Sequence, residues 1–273
     1  MDLQDVEVAS ARFRTCASAE RRPYWDRVNA GDWEPQTFRI FHRFLDRSRA
    51  CVDIGAWIGP TTLYAANFCP VVHAIEPDPV ARAELAANLA ANPGLAAKVS
   101  VHAVCIAPEP GVLRLFAGGM YFDANSRFGD SMSGITPAGD GVDQPSREAS
   151  GVRLEDFLAG LEGEPAGFIK MDVEGGEYDL IPGRWRRLAE FGAPTACISF
   201  HAPAPARRAA LIGACLEELA GCYPYLYAAD GRRFDAAQAV AAVADWTDDD
   251  PASDFRALDR LLGDGLVCAH QAW

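Results

Sequence analysis

Four ionisable side chains stand at the ends of short apolar runs in this sequence: Asp53, Glu76, Asp172 and His201. Apolar runs of this length are typical of strands that are covered on both faces in a parallel sheet. Because ligands of open parallel sheets bind outside the carboxyl ends of the strands, we expect these side chains to share one rim of the sheet. Carboxylates and an imidazole at such a rim could accept hydrogen bonds from hydroxyl groups or take up a proton.

The turn after the first apolar run carries a glycine pattern, D-x-G-x-x-x-G, over residues 53–59. A strand, a glycine turn and a helix allow the backbone to approach a nucleotide closely. A dinucleotide fingerprint would need glycines where the sequence has Trp57 and Pro60. The observed pattern instead resembles the first motif of S-adenosylmethionine-dependent methyltransferases. It predicts a set of residues that line the cofactor: Asp53, Gly55, Ala56 and Gly59.

Glu76 follows the second apolar run, one strand–helix–strand unit after Asp53. An acid at this position can accept hydrogen bonds from both hydroxyls of a ribose, so Glu76 is predicted to bind the cofactor. Asp78 and Pro79, which come next, are typical of a helix N-cap and a first-turn proline.

The composition excludes several classes of partner. Among 273 residues, 38 acidic and 25 basic side chains give a net charge of −13, which argues against nucleic acid and against anionic membrane surfaces. The N-terminus has no signal-peptide pattern, and no apolar run reaches the roughly 18 residues of a membrane span. Eight cysteines are scattered without a C-x-x-C pair. These features predict a cytoplasmic protein without a membrane span, and they leave its oligomeric state open.

Two segments outside the motifs bear on the site. Residues 1–48 are predicted to form an N-terminal helical cap, with one helix within 6–20 and a second over 36–47. Glu34, between these helices, either packs within the cap or reaches over the cofactor, and the sequence does not decide between the two.

Residues 117–150 mix glycine and aspartate with large apolar groups, which favours a lid over a disordered insertion. Ser131 and Ser133 in this lid are candidate substrate contacts.

The remaining pattern predicts further elements of an α/β protein. A third strand is expected over 99–106, another over 112–116 and a short helix over 152–161. Phe168 to Met171 is expected to be a strand, and Glu177 opens the helix that follows, where a carboxylate favours the helix dipole.

Three blocks of sequence together resemble the FkbM family of S-adenosylmethionine-dependent methyltransferases. They lie at residues 52–59, 74–79 and 168–177, and the last contains the specific pattern K-x-D-x-E-G-x-E. The resemblance implies a class I, Rossmann-like α/β fold with a seven-stranded, mostly parallel sheet and helices on both faces. It also implies O-methylation of a sugar or natural-product hydroxyl. Trp57 departs from the family pattern, in which asparagine is usual, so an indole is expected to cover the cofactor.

On this reading residues 49–273 form the methyltransferase domain, and the acceptor is a small molecule. His201 is predicted to be the general base, because a neutral imidazole titrates near working pH. Asp172 is predicted to orient it and to contact the cofactor, and Glu174 is a weaker candidate for substrate binding. A divalent metal held by Asp172, Glu174 and His201 is compatible with these residue types, but the sequence does not require one.

Two other functions compete with this reading. A non-catalytic nucleotide-binding or scaffold protein of the same fold predicts a degraded rim, whereas the four rim residues are all present. An NAD-dependent oxidoreductase is disfavoured by Trp57 and Pro60, which break the dinucleotide fingerprint.

Overall fold

The computed structural model describes residues 2–161, 165–201, 208–244, 255–263 and 265–273. Its strands, in chain order, are β1 (Leu3–Val8), β2 (Ala11–Cys16), β3 (Ala50–Ile54), β4 (Val72–Ile75), β5 (Val99–His102), β6 (Val104–Ile106), β7 (Gly111–Phe116), β8 (Ser146–Val152), β9 (Ala166–Met171), β10 (Thr195–Ile198), β11 (Tyr225–Ala228) and β12 (Leu266–Ala269).

The helices are α1 (Arg22–Ala30), α2 (Pro35–Phe44), α3 (Pro60–Phe68), α4 (Pro79–Ala90), α5 (Pro93–Ala96), α6 (Leu154–Ala159), α7 (Glu177–Leu180), α8 (Arg208–Cys222), α9 (Ala236–Ala244) and α10 (Phe255–Leu262). Short 3-10 helices occupy Gly119–Tyr121 and Trp185–Phe191. Within the described ranges, every helix is too short or too polar to cross a bilayer.

A seven-stranded sheet with the order β11-β12-β10-β9-β3-β4-β5 forms the centre of the molecule. The neighbours from β10 to β5 pair in parallel, and β12 runs antiparallel to both β10 and β11. This confirms the predicted mostly parallel sheet of seven strands. From β3 the chain moves outward to β4 and β5 and later returns on the other side with β9. The strand order therefore reverses between β3 and β9, and ligands of open sheets bind at such a point.

Successive side chains of the central strands enter two different cores. Val52 and Ile54 of β3 lie in one buried cluster with α6 to α10, while Cys51 lies in the other with α1 to α4. This alternation follows from the two-residue period of a strand. Both faces of the sheet are therefore covered, which explains why β3, β4, β9 and β10 are buried along their whole length and are mostly apolar.

The N-terminal segment differs from the predicted helical cap. The helix expected within residues 6–20 is wrong, because β1 and β2 form an antiparallel hairpin in which Val6 faces Phe13. The buried positions of this hairpin recur every second residue, which is the period of a strand and not of the helix that was predicted. Helices α1 and α2 follow the hairpin, and Trp25 and Phe41 pack into the same core as one face of β3.

The predicted third strand and lid also need correction. Residues 99–106 are two strands rather than one: β5 belongs to the central sheet, and β6 joins a three-stranded sheet of order β6-β8-β7. Strand β8 was missed because Ser146–Val152 is mostly polar or small and only partly buried. Since β8 pairs along the length of β7, the segment that remains free to cover the site is 117–145.

Candidate active site

A cavity of about 570 Å³ opens at the carboxyl ends of β3, β4, β9 and β10. This is the size of a typical small-molecule site. The predicted site residues that line it come from six separate segments: Glu34, Gly55, Ala56, Glu76, Ser131, Ser133, Asp172, Glu174 and His201. The structure therefore brings most of the predicted rim together in one place.

Asp53 and Gly59 are the exceptions, and the prediction that they line the cavity is corrected. The Asp53 carboxylate is fully buried, and its Oδ2 accepts hydrogen bonds from the hydroxyls of Thr61 at 2.8 Å and Thr62 at 2.6 Å. Gly59 has a φ of +97°, and a Cβ there would lie 2.5 Å from Cδ1 of Leu85. Asp53 thus ties the end of β3 to the first turn of α3 through two threonine hydroxyls, and Gly59 allows the loop to pack closely against Leu85.

Lys170 joins the ends of β3 and β9 beneath the cavity. Its buried ammonium donates to the backbone oxygen of Gly55 at 2.9 Å and lies 3.2 Å from Oδ2 of Asp172 and 3.7 Å from Oδ1 of Asp53. Burial opposes the charge, but the surrounding carboxylates Asp172, Asp53 and Glu34 outweigh it and raise the pKa of Lys170. Lys170 therefore holds the glycine loop and the carboxylate of Asp172 in fixed relative positions.

Glu76, Trp57 and Asp78 form one side of the cavity, called here the Glu76 side. One carboxylate oxygen of Glu76 accepts from the backbone N–H of Trp57 at 2.7 Å, and the other from that of Asp78 at 2.8 Å. Burial raises the pKa of Glu76 to about 7, although both backbone donors lower it. The cavity wall beside Glu76 is apolar, with Ile75, Val104, Ile106 and Leu115.

The Trp57 indole connects three segments around this side. Its Nε1 donates to the backbone oxygen of Gly129 at 2.8 Å, and the Arg21 guanidinium lies 5.2 Å above its ring centre. Arg21 also donates to the Gly129 oxygen at 2.8 Å, and the Tyr24 ring meets the indole edge-on at 4.8 Å. The residue that departs from the family pattern thus links the glycine loop to α1 and to the segment 117–145.

Four residues after β9 and β10 form the other side, called here the His201 cluster: Asp172, Glu174, Glu177 and His201. The imidazole Nε2 lies 3.4 Å from Oδ1 of Asp172 and 3.3 Å from Oε2 of Glu174. The other ring nitrogen, Nδ1, is 2.9 Å from Oε1 of the fully buried Glu177. The backbone oxygen of His201 accepts from the Tyr178 hydroxyl at 2.5 Å, so the residue is held at several points.

Electrostatics in the His201 cluster favour the protonated form of the imidazole. Burial favours the neutral ring, but Glu177, Glu174 and Asp172 together raise the pKa of His201 to about 10. Burial raises the pKa of Glu174 to about 8, while Lys170 and His201 overcome burial and lower that of Asp172. Three carboxyl groups surround the ring, so they favour the protonated imidazole over the neutral one that the sequence analysis expected, and the role of His201 as general base stays a prediction.

Backbone strain is concentrated around the cavity. Among the described residues, five that are not glycine have a positive φ, and three of these line the cavity: Glu34, Trp57 and Glu174. A left-handed conformation costs such residues about 1 kcal/mol or more, and strain of this kind collects where a site must be held in one geometry.

Glu34, Ser131 and Ser133 all line the cavity. Of the two positions considered for Glu34, within the N-terminal segment or over the cavity, the structure combines both. Glu34 precedes α2 and accepts from the Thr37 hydroxyl at 3.0 Å, and it also lines the cavity. Ser131 and Ser133 line the cavity too, but the Ser133 hydroxyl donates to Oδ2 of Asp78 at 3.0 Å. Asp78 is the predicted N-cap of α4, since its Oδ1 accepts from the backbone N–H of Val80.

Sequence reasoning missed three contributions to this site. Lys170 and Glu177 lie within the K-x-D-x-E-G-x-E pattern, so the signal was present, but Glu177 was assigned mainly to the helix dipole. Tyr24, interpreted as a packing aromatic, lines the cavity with its ring beside Trp57. No local pattern marks Tyr24, because its position depends on the packing of α1 against the glycine loop.

The fold and the cavity define an α/β protein with a small-molecule site at the reversal of its strand order. A family model, the methyltransferase FkbM domain, matches residues 53–222, which is more than half of the chain. The chain therefore belongs to the FkbM methyltransferase family, as the three sequence blocks predicted. A comparison with the curated proteins found no significant match.

Two solved structures share weak similarity with this chain. One is the methyltransferase FkbM of Methylobacillus flagellatus, with 17% identity, 68% of this chain and 45% of that chain covered, and a TM-score of 0.37. The other is a precorrin 8w decarboxylase from Methanobacterium thermoautotrophicum, with 14% identity, 62% of each chain covered and a TM-score of 0.34. The alignment thus spans about half of the FkbM structure and less than two thirds of the second.

Proposed function

We propose that this protein is an S-adenosylmethionine-dependent O-methyltransferase that acts on a hydroxyl of a sugar or natural-product small molecule. The observation that carries the proposal is that one cavity joins Glu76 to the His201 cluster. Glu76 supplies a carboxylate for a ribose, and the His201 cluster supplies proton-accepting groups for the hydroxyl of an acceptor. Residues 49–273 are proposed as the methyltransferase domain, and the cytoplasmic location stays a prediction.

The residues present fit S-adenosylmethionine. Glu76 has two carboxylate oxygens that each use one lone pair on a backbone donor, so lone pairs remain for ribose hydroxyls. The apolar wall formed by Ile75, Val104 and Ile106 lies beside Glu76 and suits the adenine. Gly55 and Ala56 bring the β3 loop to the cavity surface, where the methionine portion of the cofactor would extend toward Asp172.

The excess of acidic side chains around the cavity favours S-adenosylmethionine over NAD. The acids that line the cavity include Glu34, Glu76, Asp130, Asp172 and Glu174, against the basic Arg27, Lys170 and His201. Lys170 is already occupied by Gly55, Asp172 and Asp53. An anionic pyrophosphate needs donors and positive charge, whereas a sulfonium and an ammonium are stabilised by carboxylates.

When bound, S-adenosylmethionine supplies an activated methyl group that passes in line to the acceptor oxygen while the carbon–sulfur electron pair returns to sulfur. The task of the protein is to align the two reactants and to exclude water. Trp57 and the segment 117–145 cover the cavity through the hydrogen bond to Gly129. The hydroxyl proton leaves to the His201 cluster, where Asp172 carries a negative charge because Lys170 and His201 lower its pKa.

A non-catalytic scaffold of the same fold is the competing function. The scaffold account gives no reason to keep Glu174 and Trp57 in left-handed conformations or to bury Glu177 behind His201. These features concern the cavity and cost stability, so they favour an enzyme.

A labelling experiment tests the proposal. The protein is incubated with methyl-labelled S-adenosylmethionine and a panel of glycosides and hydroxylated natural products, and methylated products are detected by mass spectrometry. We expect label on an acceptor oxygen and its loss in Asp172→Asn. Label on nitrogen or carbon alone would reject O-methylation, and stoichiometric cofactor binding without turnover across a broad panel would favour the scaffold.

A further inference from the structure

We infer that Asp172, Glu174 and His201 form a binding site for one divalent cation of the Mg²⁺ or Mn²⁺ type on the floor of the cavity. Each residue offers one ligand atom, and the three atoms lie within 4.8 Å of one another. The cation's role toward an acceptor hydroxyl rests on the proposed function, but the site itself is defined by these side chains.

The spacing of the ligand atoms suits a metal ion. The distances from Nε2 of His201 to the oxygens of Asp172 and Glu174 are 3.4 and 3.3 Å. Adjacent ligands of an octahedral cation with bonds of about 2.1 Å lie about 3.0 Å apart, so both distances from the imidazole are within a few tenths of an ångström of that value. Two carboxylates and one imidazole provide the oxygen-rich donor set that Mg²⁺ and Mn²⁺ prefer.

Glu177 orients the imidazole for this task. Its Oε1 lies 2.9 Å from Nδ1 of His201, so the carboxylate can accept a hydrogen bond from Nδ1 while Nε2 faces Asp172 and Glu174. Metal-binding histidines almost always present their second nitrogen to such a carboxylate or carbonyl, which fixes the ring and its tautomer. A histidine whose only task was to pair with an acid would need one carboxylate rather than three.

A second observation points to a missing positive charge. Oε2 of Glu174 makes no hydrogen bond although the residue is only 7% exposed, and it faces Nε2 of His201. Around it, Asp53, Asp172, Glu174 and Glu177 set four carboxyl groups against the basic side chains Lys170 and His201. Because buried charges require pairing, an additional cation at this point balances the cluster. All three ligand residues line the cavity, so a cation held by them would be accessible to an acceptor oxygen there.

Titration of the cofactor-free protein with Mn²⁺, followed by the electron paramagnetic resonance signal of free Mn²⁺, tests the site. We expect one Mn²⁺ per chain and at least a tenfold loss of affinity in Glu174→Gln, which keeps the shape of the side chain. Glu218→Gln is the matched control, because Glu218 on α8 is equally buried at 7% exposure but pairs with Arg186. Urea unfolding of each variant verifies that it is folded.

Glu177 provides an independent test of the arrangement. Glu177→Ala should weaken Mn²⁺ binding by about 10–100-fold, as loss of an orienting partner does, and Glu177→Gln should recover part of that loss. Mn²⁺ binding that is absent, or equally strong in Glu174→Gln, would overturn the cation site. Calorimetry with S-adenosylhomocysteine on the same samples separates the two claims: cofactor binding without Mn²⁺ binding rejects only the cation, and the reverse rejects the proposed function.

Discussion

The Glu76 side and the His201 cluster are both built around buried carboxylates, but they are held in opposite ways. Glu76 is fixed by two backbone N–H groups, that of Trp57 in the glycine loop after β3 and that of Asp78 in the loop after β4. The His201 cluster is fixed by side chains from the ends of β9 and β10 and carries more acids than bases. On the proposed function, the Glu76 side is a rigid acceptor for neutral hydroxyls, whereas the His201 cluster is an unbalanced group of charges that would take up protons or a cation.

The difference indicates a division of labour. A carboxylate satisfied by backbone donors changes little during a reaction, so it suits binding. A group of side chains whose charges depend on one another responds to a developing charge, so it suits chemistry. Variants that separate binding from turnover therefore test the comparison directly.

The largest effect is expected for His201→Ala. Removal of the imidazole disrupts the proton-accepting cluster, and turnover should fall by about 10²–10⁴-fold. The affinity for S-adenosylhomocysteine should change little, because the Glu76 side remains intact. Steady-state kinetics and calorimetry measure the two quantities. Near-normal turnover with a raised KM for the acceptor would show that His201 only binds the substrate, and the base role would pass to Asp172.

Glu76→Ala should produce the reverse pattern. Loss of the hydrogen bonds to a ribose weakens binding of S-adenosylhomocysteine by about 1–3 kcal/mol. Glu155→Gln is the control, because Glu155 is as buried as Glu76 but pairs with Arg187 and does not line the cavity. Equal affinity in wild type and Glu76→Ala would remove Glu76 from the cofactor site.

The unbalanced charge of the His201 cluster predicts a pH-dependent stability when no divalent cation is added. The pKa of Glu174 is raised to about 8 and that of His201 to about 10, so the folded state binds more protons than the unfolded state between about pH 4.5 and 10. The free energy of unfolding should therefore fall as pH rises through this window, by about 1–2 kcal/mol between pH 6 and 9. Urea unfolding checks this, and Glu174→Gln should flatten the curve. A stability that rises over the same range would contradict the charge assignment.

The smallest effect concerns the segment 117–145. Arg21→Ala removes one of two donors to the Gly129 oxygen, leaving the Trp57 indole, so amides near Gly129 should exchange about fivefold faster. Bound S-adenosylhomocysteine should slow their exchange in the wild type if the segment closes over the cavity. Arg12→Ala, at an exposed ion pair, is the control. Exchange that is unaffected by both Arg21→Ala and ligand would argue against a lid.

Local patterns in the sequence were enough to predict the central strands and the residues at their ends. The apolar runs gave β3, β4, β9 and β10, and their ends placed Glu76, Asp172 and His201 on one rim, since parallel strands share an edge. The hairpin β1–β2 and strand β8 were missed because their burial is partial and depends on neighbours distant in sequence. The charge of His201 could not be predicted, because it depends on three carboxylates, one of which, Glu177, lies on α7 behind the ring.

The most direct test of the account is calorimetric titration of the wild-type protein with S-adenosylhomocysteine and, separately, with NAD. The apolar wall beside Glu76 and the acidic surroundings of the cavity predict one S-adenosylhomocysteine bound per chain and no measurable heat with NAD at the same concentrations. Binding of NAD with no binding of S-adenosylhomocysteine would contradict the assignment of this cavity to a methyltransferase cofactor.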